Sequence, residues 1–418
     1  MITALANAFR VPELRRKIIF TLIIIAMYRV GSFIPVPGID AATVKSIIEG
    51  QATLGVLNMF SGGALEQFAV FSLGIMPYIT ATIIMQLLQG VIPTLERWSK
   101  EGETGQRKIT QWARYLTLAI ALLQSIALLG VFRSALSSAG RPSMDIVTNG
   151  VVVITLIAGT AMIMWMGELI TQRGIGNGMS LLIFTSIVAR FPSAVYQTMR
   201  VGNVGMALFT LVLFVFVIAA IVTMERGQRR IPVQYAKRVV GRKVYGGSGT
   251  YIPLKVNGSG VIPIIFASAL LFFPAQIAII INNATLQKVG NALSSGWLYY
   301  VLYSTLVVFF AYFYTALVFN PIDLADNLRK NGGFIPGVRP GNATVHYIEN
   351  VLNRITLPGA MFLAAIAIGP TVVFRLTDVT ILEQFGGTSI LILVSVALET
   401  MTQIESQLKM RHYDGFFK

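Results

Sequence analysis

The 418-residue sequence has no cysteine, two histidines and very few charged side chains. Without cysteine the chain can form no disulfide framework, thiolate zinc site or cysteine nucleophile, and two histidines argue against a histidine-rich metal site. The sequence also lacks a GxxxxGK(S/T) phosphate-binding loop, an HExxH zinc motif and a GxSxG nucleophile elbow. It therefore gives no signature of an enzyme, a metal site or a bound cofactor.

Charged residues make up only 12% of the chain, against roughly 25% in a soluble domain. Hydrophobic residues make up 55%, and the mean hydropathy is +0.70. These values are typical of an all-α membrane protein that crosses the bilayer many times. The net charge of +15 would suit nucleic acid or anionic lipid, but in a membrane protein the placement of charge is more informative than its sum.

Apolar runs of spanning length predict ten transmembrane helices, with both termini on one side. The first run follows four cations and resembles the start of a signal peptide, but it is as long as a spanning helix and ends in IPVPG rather than in a cleavage site. The predicted spans are 18–34, 68–92, 115–132, 150–170, 179–196, 204–224, 261–281, 298–319, 355–374 and 379–402.

The loop charges support this topology, because cytoplasmic loops should carry the excess of Lys and Arg. Of the 33 cations, 25 fall in segments that alternation assigns to the cytoplasm, seven fall outside or at outer helix ends, and Arg29 lies within the first span. The predicted organisation is a cytoplasmic segment 1–17, a first half 18–200, a second half 201–408 with cytoplasmic loops 225–257 and 321–349, and a cytoplasmic tail 409–418.

Two pairs of similar motifs suggest that the second half repeats the first. GIMPYI at 74–79 is echoed by GVIPII at 260–265, and GMSLLIF at 178–184 by GTSILIL at 387–393. Five spans in each half would place the second copy upside down relative to the first. The glycine and proline in the first pair predict proline-broken membrane segments. The alternative is coincidental use of glycine and isoleucine in apolar sequence.

Residues 60–71 differ from the apolar run that follows them. They contain a Gly62-Gly63 pair and Glu66, a carboxylate that is costly to place in lipid. We expect a half-helix here that feeds the full membrane helix of the second span. The alternative is an ordinary amphipathic turn outside the membrane.

Six motifs resemble signatures of the SecY family of protein-conducting channels, from end to end of the chain. This resemblance implies ten helices in two inverted halves that open toward lipid around a central pore, with a plug on the outer side and an isoleucine-lined constriction. The motifs are NMFSGGAL at 58–65, LGIMPYITA at 73–81, RGIGNGMSLLIF at 173–184, RRIPVQYAKR at 229–238, GVIPIIFAS at 260–268 and GGFIPGVRPG at 332–341.

By this resemblance, isoleucines line the constriction, and the start of residues 60–71, which we call the plug segment, closes it. Isoleucine offers no hydrogen-bond partner to hold a passing chain, and a narrow apolar ring disfavours water and ions. From the residues alone, packing against lipid or core stays an alternative. The implied isoleucine collar is Ile75, Ile79, Ile183, Ile187, Ile265 and Ile392, and the implied plug residues are Phe60, Ser61, Gly62, Gly63, Ala64, Leu65 and Glu66.

The resemblance also places a lateral gate between spans two and three on one side and spans seven and eight on the other. Gln86 and Gln124 are the candidate polar contacts across it. Membrane helices also use such side chains simply to hydrogen-bond one another, so that role is the alternative.

The loop 225–257 carries eight cations against one acid, with tyrosines interleaved. Such a segment suits RNA phosphates or an acidic protein surface, whereas the alternative is positive-inside charge near lipid headgroups. Arg339 lies in PGVRPG, between residues that shape the backbone. The resemblance implies docking of a motor or ribosome through Arg339, Arg229, Arg230, Lys237, Arg238, Arg242, Lys243 and Tyr413.

The function implied by the resemblance is passage of unfolded secretory proteins across the bacterial cell membrane and release of hydrophobic helices into lipid. The implied partners are the small subunits SecE and SecG, the SecA ATPase, the ribosome, signal peptides, nascent chains and membrane lipids. The alternatives are an inverted-repeat secondary transporter, for which Arg29, Glu66, Glu168 and Glu399 are the few ionisable candidates, and a lipid scramblase.

Overall fold

The computed structural model describes residues 11–37, 60–138, 146–201, 204–235, 238–240, 243–245, 250–281, 296–376 and 386–414, together with Phe9, Val44 and Asn58. Its elements in chain order are α1 (Pro12–Gly31), α2 (Met76–Gln89), α3 (Pro93–Lys100), α4 (Glu103–Ser138), α5 (Ile146–Arg173), α6 (Gly178–Val201), α7 (Val204–Arg226), β1 (Gln228–Tyr235), β2 (Arg238–Val240), β3 (Lys243–Tyr245), β4 (Thr250–Lys255), α8 (Ile262–Ile281), α9 (Trp297–Val318), α10 (Pro321–Lys330), β5 (Gly333–Phe334), α11 (Asn342–Leu376) and α12 (Gly387–Asp414).

Each of the ten predicted spans overlaps one long helix, namely α1, α2, α4 to α9, α11 and α12. Within the described residues, five helices are long and apolar enough to cross a membrane, or six if α2 and α3 form one bent span. The predicted all-α, multi-pass architecture is confirmed. The count of ten spans is consistent with these helices and stays a prediction.

The two halves have the same pattern of helix packing. In the first half, α2 packs on α4, α4 on α5 and α5 on α6, while α1 packs on α5 and α6. In the second half, α8 packs on α9, α9 on α11 and α11 on α12, while α7 packs on α11 and α12. Every one of these pairs has its counterpart five spans later, as a structural repeat requires.

The halves meet along two seams. On one side α8 packs against both α2 and α4. On the other side α6 packs against α12 and α7. The helices that carry the isoleucine collar therefore contact one another in pairs across the two seams, α2 with α8 and α6 with α12.

The half-helix predicted for the plug segment is wrong, because residues 61–75 form a succession of turns. Gly62 and Gly63 have φ of 67° and 89°, and Phe68 and Gly74 have φ of 45° and 58°. A right-handed helix cannot continue through left-handed residues, and these four interrupt residues 61–75 repeatedly. Turn hydrogen bonds, such as the one from Ala69 N to Ala64 O at 2.8 Å, replace the helical ladder.

The second span is also shorter than predicted, and its proline does not break it. The helix begins at Met76 with Pro77 in its first turn, a position where the missing N–H costs nothing. In α8, Pro263 is likewise the second helical residue. With 14 residues, α2 is about 21 Å long, below the roughly 30 Å of a bilayer core. The chain then bends by 97° into α3.

A small sheet joins the two predicted cytoplasmic loops, and the sequence analysis did not anticipate it. The strand β1 pairs antiparallel with β4 and β5, in the order β4-β1-β5, and we call these three strands the docking sheet. The strands β2 and β3 form a separate antiparallel pair. Beneath the docking sheet lies a compact apolar core of Ile231, Leu254, Ile335 and Ile348.

Candidate functional site

All six residues of the predicted isoleucine collar are buried, with exposures between 1% and 9%. They belong to one continuous hydrophobic cluster that contains residues of both halves. Ile75 immediately precedes α2 and Ile79 lies one turn later, since Ile79 N donates to Ile75 O over 3.1 Å. Their burial does not fit the lipid-facing alternative. That these residues form a constriction stays a prediction.

The plug segment packs into the same hydrophobic cluster. Phe60, Ala64, Leu65, Phe68 and Phe71 are 0–3% exposed and belong to it. Ring contacts fix two of them, because Phe71 stacks on Tyr28 at 5.7 Å and Phe68 meets Phe132 edge to face at 4.9 Å between centroids. The segment therefore lies inside the helix assembly and is not an external turn.

Backbone hydrogen bonds tie the end of the plug segment to the chain that follows α1. Val36 N donates to Phe68 O, and Val70 N donates to Ile34 O, each over 2.9 Å. On the opposite side, the backbone of Val70 lies directly against Gly159 of α5, where an added Cβ would overlap the carbonyl oxygen of Val70. Glycine is required there because the two backbones touch.

Polar contacts hold the beginning of the plug segment. Arg190 Nη2 on α6 donates to Glu66 Oε2 over 2.8 Å, and Arg29 Nη1 on α1 donates to the Gly62 carbonyl over 3.0 Å. Asn58 accepts from Glu66 N and donates to Glu66 Oε2. These contacts link the segment to both α1 and α6, and the sequence analysis predicted none of them.

The gate candidates lie at the first seam. Gln86 on α2 is half-buried, and Gln124 on α4 is buried. Both helices pack against α8, whereas the predicted gate also included span eight, and α9 packs principally on α8 and α11. Within the described part of the chain, the buried Oε1 of Gln86 accepts no hydrogen bond. Their role in a lateral gate stays a prediction.

The ionisable residues considered for a transporter mostly have protein partners. Glu168 on α5 forms a bidentate pair with Arg114 on α4, at 2.7 Å and 2.6 Å. Glu66 is paired with Arg190, and Arg29 binds a backbone carbonyl. Among the residues that the structure describes, no cluster of three or more His, Asp or Glu side chains could hold a metal ion.

The docking sheet brings together cations from the two loops. Arg229 and Arg230 are exposed on β1, and the Arg230 guanidinium lies 4.8 Å from the ring centre of Tyr251 on β4. The pairing of β1 with β5 at Gln234 and Tyr235 joins the loop that carries Arg339 to the same sheet. The buried positions Ile231 and Val233 alternate with exposed neighbours. This alternation was the sequence signal for a strand.

Arg339 is exposed on a turn of defined shape. Gly337 and Gly341 flank it with φ of 83° and 107°, and the Arg339 carbonyl accepts a hydrogen bond from Thr344 Oγ1 over 2.9 Å. Val338 packs on the core beneath the docking sheet. The backbone on both sides is thus fixed, and the Arg339 side chain is exposed.

The remaining docking candidates are only partly described. Lys237 and Arg242 lie outside the described residues, and for Arg238, Lys243 and Tyr413 only the backbone is described. Their proposed contacts stay predictions.

The exposed helix α3 carries an ion pair between Lys100 and Glu96, with an N–O distance of 2.7 Å. The hydrogen bond from Lys100 lowers the pKa of the Glu96 carboxyl. Because both side chains are solvated, this pair adds little to stability.

A polar network at one end of the second half was not predicted from sequence. Glu225 Oε1 at the end of α7 accepts from Asn257 Nδ2 over 2.8 Å and from Ser395 Oγ on α12 over 2.9 Å. Ser259 Oγ adds a contact to Asn257 Oδ1 at 3.2 Å. The segment NGSG at 257–260 resembles any polar loop, so the sequence alone held no signal for the network.

The fold and this centre define a class: a multi-pass helical membrane protein whose two repeated halves close around an apolar interior filled by a turn segment. Comparison with known proteins narrows the class. Residues 69–401 match the family SecY. The chain is 51% identical over 437 residues to the protein translocase subunit SecY of Streptomyces galbus, with 100% of both chains covered. The chain belongs to the SecY family.

Solved structures share the fold at low sequence identity. A protein-conducting channel superposes with a TM-score of 0.66 at 18% identity, covering 93% of this chain and 91% of that one. Sec61 from a canine ribosome-channel complex gives 0.62 at 18% identity, with the same coverage. The all-α membrane fold expected from the resemblance is thereby confirmed, while the count of ten helices stays a prediction.

Proposed function

We propose that this protein is the central channel subunit of a Sec translocase, which conducts unfolded secretory proteins across the membrane. The observation that carries the proposal is the common hydrophobic cluster in which isoleucines of both halves and the plug segment pack together. In a family of protein translocase subunits, such a centre suits a closed pore. The transporter alternative is not favoured, because three of its four ionisable candidates already bind protein groups.

The isoleucine collar would seal the channel by its chemistry. A passing unfolded chain presents every side-chain type, so a collar that hydrogen-bonds its substrate would retain some sequences. Isoleucine makes no such bonds, and an apolar ring around an empty pore excludes water and ions. The plug segment adds a second barrier, and its movement away from the collar is the opening step.

Hydrophobic helices would leave through the first seam, where α8 faces α2 and α4. Separation of these helices opens a path from the apolar centre to lipid. Gln86 and Gln124 would contribute polar contacts to this gate, each worth of the order of 1 kcal/mol.

The driving force must come from a partner, since the chain carries no phosphate-binding loop. The exposed Arg229, Arg230 and Arg339 on and beside the docking sheet suit the SecA ATPase or ribosomal RNA, with phosphate contacts made by guanidinium groups. The ribosome-bound canine channel with the same fold supports a ribosome partner. The small subunits SecE and SecG would complete the channel.

The membrane would be the bacterial cell membrane, with both termini and the docking sheet in the cytoplasm. The excess of Lys and Arg in these segments supports that orientation. Because the chain has no cysteine, single cysteines at Arg229 and Arg339 give a clean topology test. Reaction of either cysteine with an impermeant thiol reagent in intact cells would overturn the cytoplasmic placement of these residues.

The decisive experiment is crosslinking of an arrested secretory chain. Photoreactive probes at Ile79 and Ile187 should capture the translocating chain, and the matched control is Ile154 on α5, which is 69% exposed. A transporter or a scramblase would give no crosslink at Ile79 or Ile187. Equal crosslinking at Ile154 would mean that the chain does not pass through the collar.

A further inference from the structure

We propose that the Glu66–Arg190 ion pair and the Arg29–Gly62 hydrogen bond form a two-point latch on the plug segment. This latch would set how strongly a signal sequence must act to open the channel, and so which substrates are accepted. The inference rests on the proposed function.

The first point of the latch joins parts of the chain that are 124 residues apart. Arg190 Nη2 lies 2.8 Å from Glu66 Oε2, and the two side chains are 21% and 28% exposed. Asn58 Nδ2 donates to the same oxygen over 3.2 Å, and Asn58 Oδ1 accepts from Glu66 N over 3.0 Å. The carboxylate is thus oriented by its own segment, and partial burial strengthens a pair of this kind relative to a surface pair.

The position of Arg190 connects the latch to the seal. It follows Ile187 by three residues and Ile183 by seven, so all three lie on one face of α6. The cation is therefore one turn, about 4.5 Å along the helix, from the nearest collar residue. Movement of the plug segment away from the collar and from α6 would separate Glu66 from Arg190.

The second point lies on the other neighbouring helix. Arg29 Nη1 binds the Gly62 carbonyl at 3.0 Å. Gly62 itself lies so close to α6 that an added Cβ would meet Ser186 Cα at 3.1 Å. Glu66 follows Gly62 by four residues, so the two contacts together fix both the position and the orientation of the plug segment between α1 and α6.

The latch has a consequence that apolar packing alone does not have. The ion pair exists only while the plug segment is in place, whereas in the open channel both charges face water. An interaction present in only one state shifts the equilibrium between states. Binding of the signal sequence must supply the free energy that is lost when the ion pair breaks. A weak signal sequence therefore fails where a strong one succeeds.

The test uses Glu66→Gln and Arg190→Gln in the complete channel with its partner subunits. Each removes one charge and keeps the size of the side chain. We expect two quantities to rise about tenfold: the resting ion conductance of reconstituted channels, and the ratio of weak-signal to strong-signal export. This factor corresponds to the net free energy of one charge-assisted hydrogen bond. The double variant should exceed neither single variant, because both break the same contact.

Arg114→Gln is the matched control, because it breaks the bidentate pair with Glu168 between α4 and α5 without touching the plug segment. It should leave resting conductance at the wild-type level. Unchanged conductance in both Glu66→Gln and Arg190→Gln, additive effects in the double variant, or an equal rise in Arg114→Gln would each overturn the latch.

Crosslinking gives an independent readout in this cysteine-free chain. Glu66→Cys and Arg190→Cys, joined by a short reducible thiol crosslinker, should abolish export until the linker is cleaved. Full export by the crosslinked channel would contradict the latch. If instead the wild-type channel exports no strong-signal substrate, the proposed function fails, while the conductance measurements still decide on the latch.

Discussion

Ser395 on α12 donates a hydrogen bond of 2.9 Å to Glu225 at the end of α7, and Asn257 donates to the same carboxylate oxygen over 2.8 Å. Asn257 and Ser395 are only 5% and 7% exposed. Asn257 also binds the Gly260 carbonyl at 3.1 Å, just before α8 begins. Three helices of the second half are therefore held together at one end by polar groups that would be costly to bury unpaired.

We expect Asn257→Ala to lower the free energy of unfolding by about 1–3 kcal/mol, because it leaves a half-buried carboxylate without one of its donors. Thermal unfolding of the purified protein in detergent measures the change. Thr223→Ala on α7 is the control, since the Thr223 hydroxyl is exposed and binds only within its own helix among the contacts described. Equal losses in the two variants would mean that the network does not stabilise the fold.

We expect Gly159→Ala to make the resting channel leak. The added Cβ would overlap the carbonyl oxygen of Val70, so the end of the plug segment must shift away from α5. Ion conductance of the reconstituted channel measures this. Gly150→Ala on the same helix is the matched control, because nothing lies within 4 Å of its added Cβ. Indistinguishable conductance in the two variants would show that the shift is absorbed elsewhere.

The repeat could be predicted from the sequence because its two motifs specify the same local backbone conformation. Gly74 and Gly260, the first residues of the two matched motifs, have φ of 58° and 61°. Both glycines lie two residues before the start of a helix that has a proline in its first turn. A short motif can specify such a turn, so the same residue types recur where the same backbone conformation recurs.

The long-range polar contacts of the structure could not be predicted from the sequence, because the residues that form them are far apart in the chain. Neither Glu66 nor Arg190 has a local pattern that announces the other, and the same is true of Glu225 and Ser395, 170 residues apart. The half-helix prediction for the plug segment was wrong for a different reason. Its composition suits a helix end, but left-handed φ at Phe68 is imposed by packing that no local pattern records.

We expect Arg339→Glu to reduce translocation strongly while the protein stays in the membrane at its normal level. The Arg339 side chain is exposed on a fixed turn, and a surface charge change alters stability by about 0.5 kcal/mol or less. Translocation normalised to the amount of protein in the membrane is the measurement. Arg354→Glu reverses another exposed cation on α11 and should have little effect. If both variants translocate normally, or if Arg339→Glu disappears from the membrane, the docking role is wrong.

We expect Ile79→Asn or Ile392→Asn to loosen the closed channel and to let weak signal sequences through. Both positions are buried, at 7% and 1% exposure, in the cluster that holds the plug segment. An asparagine amide there lacks partners, at a cost of about 1–3 kcal/mol, or it draws in water. Resting ion conductance and export of a substrate with a defective signal sequence measure the effect.

The direction of this effect follows from the difference between the two states. The open channel is already wet at the collar, so the polar amide penalises the closed state more, and the equilibrium moves toward opening. Ile79→Leu conserves volume and should change little, whereas Ile154→Asn, at an exposed position on α5, should impair insertion without raising conductance. If the collar variants leave conductance unaltered, or if they export fewer defective-signal substrates, these isoleucines pack in the core without sealing a pore.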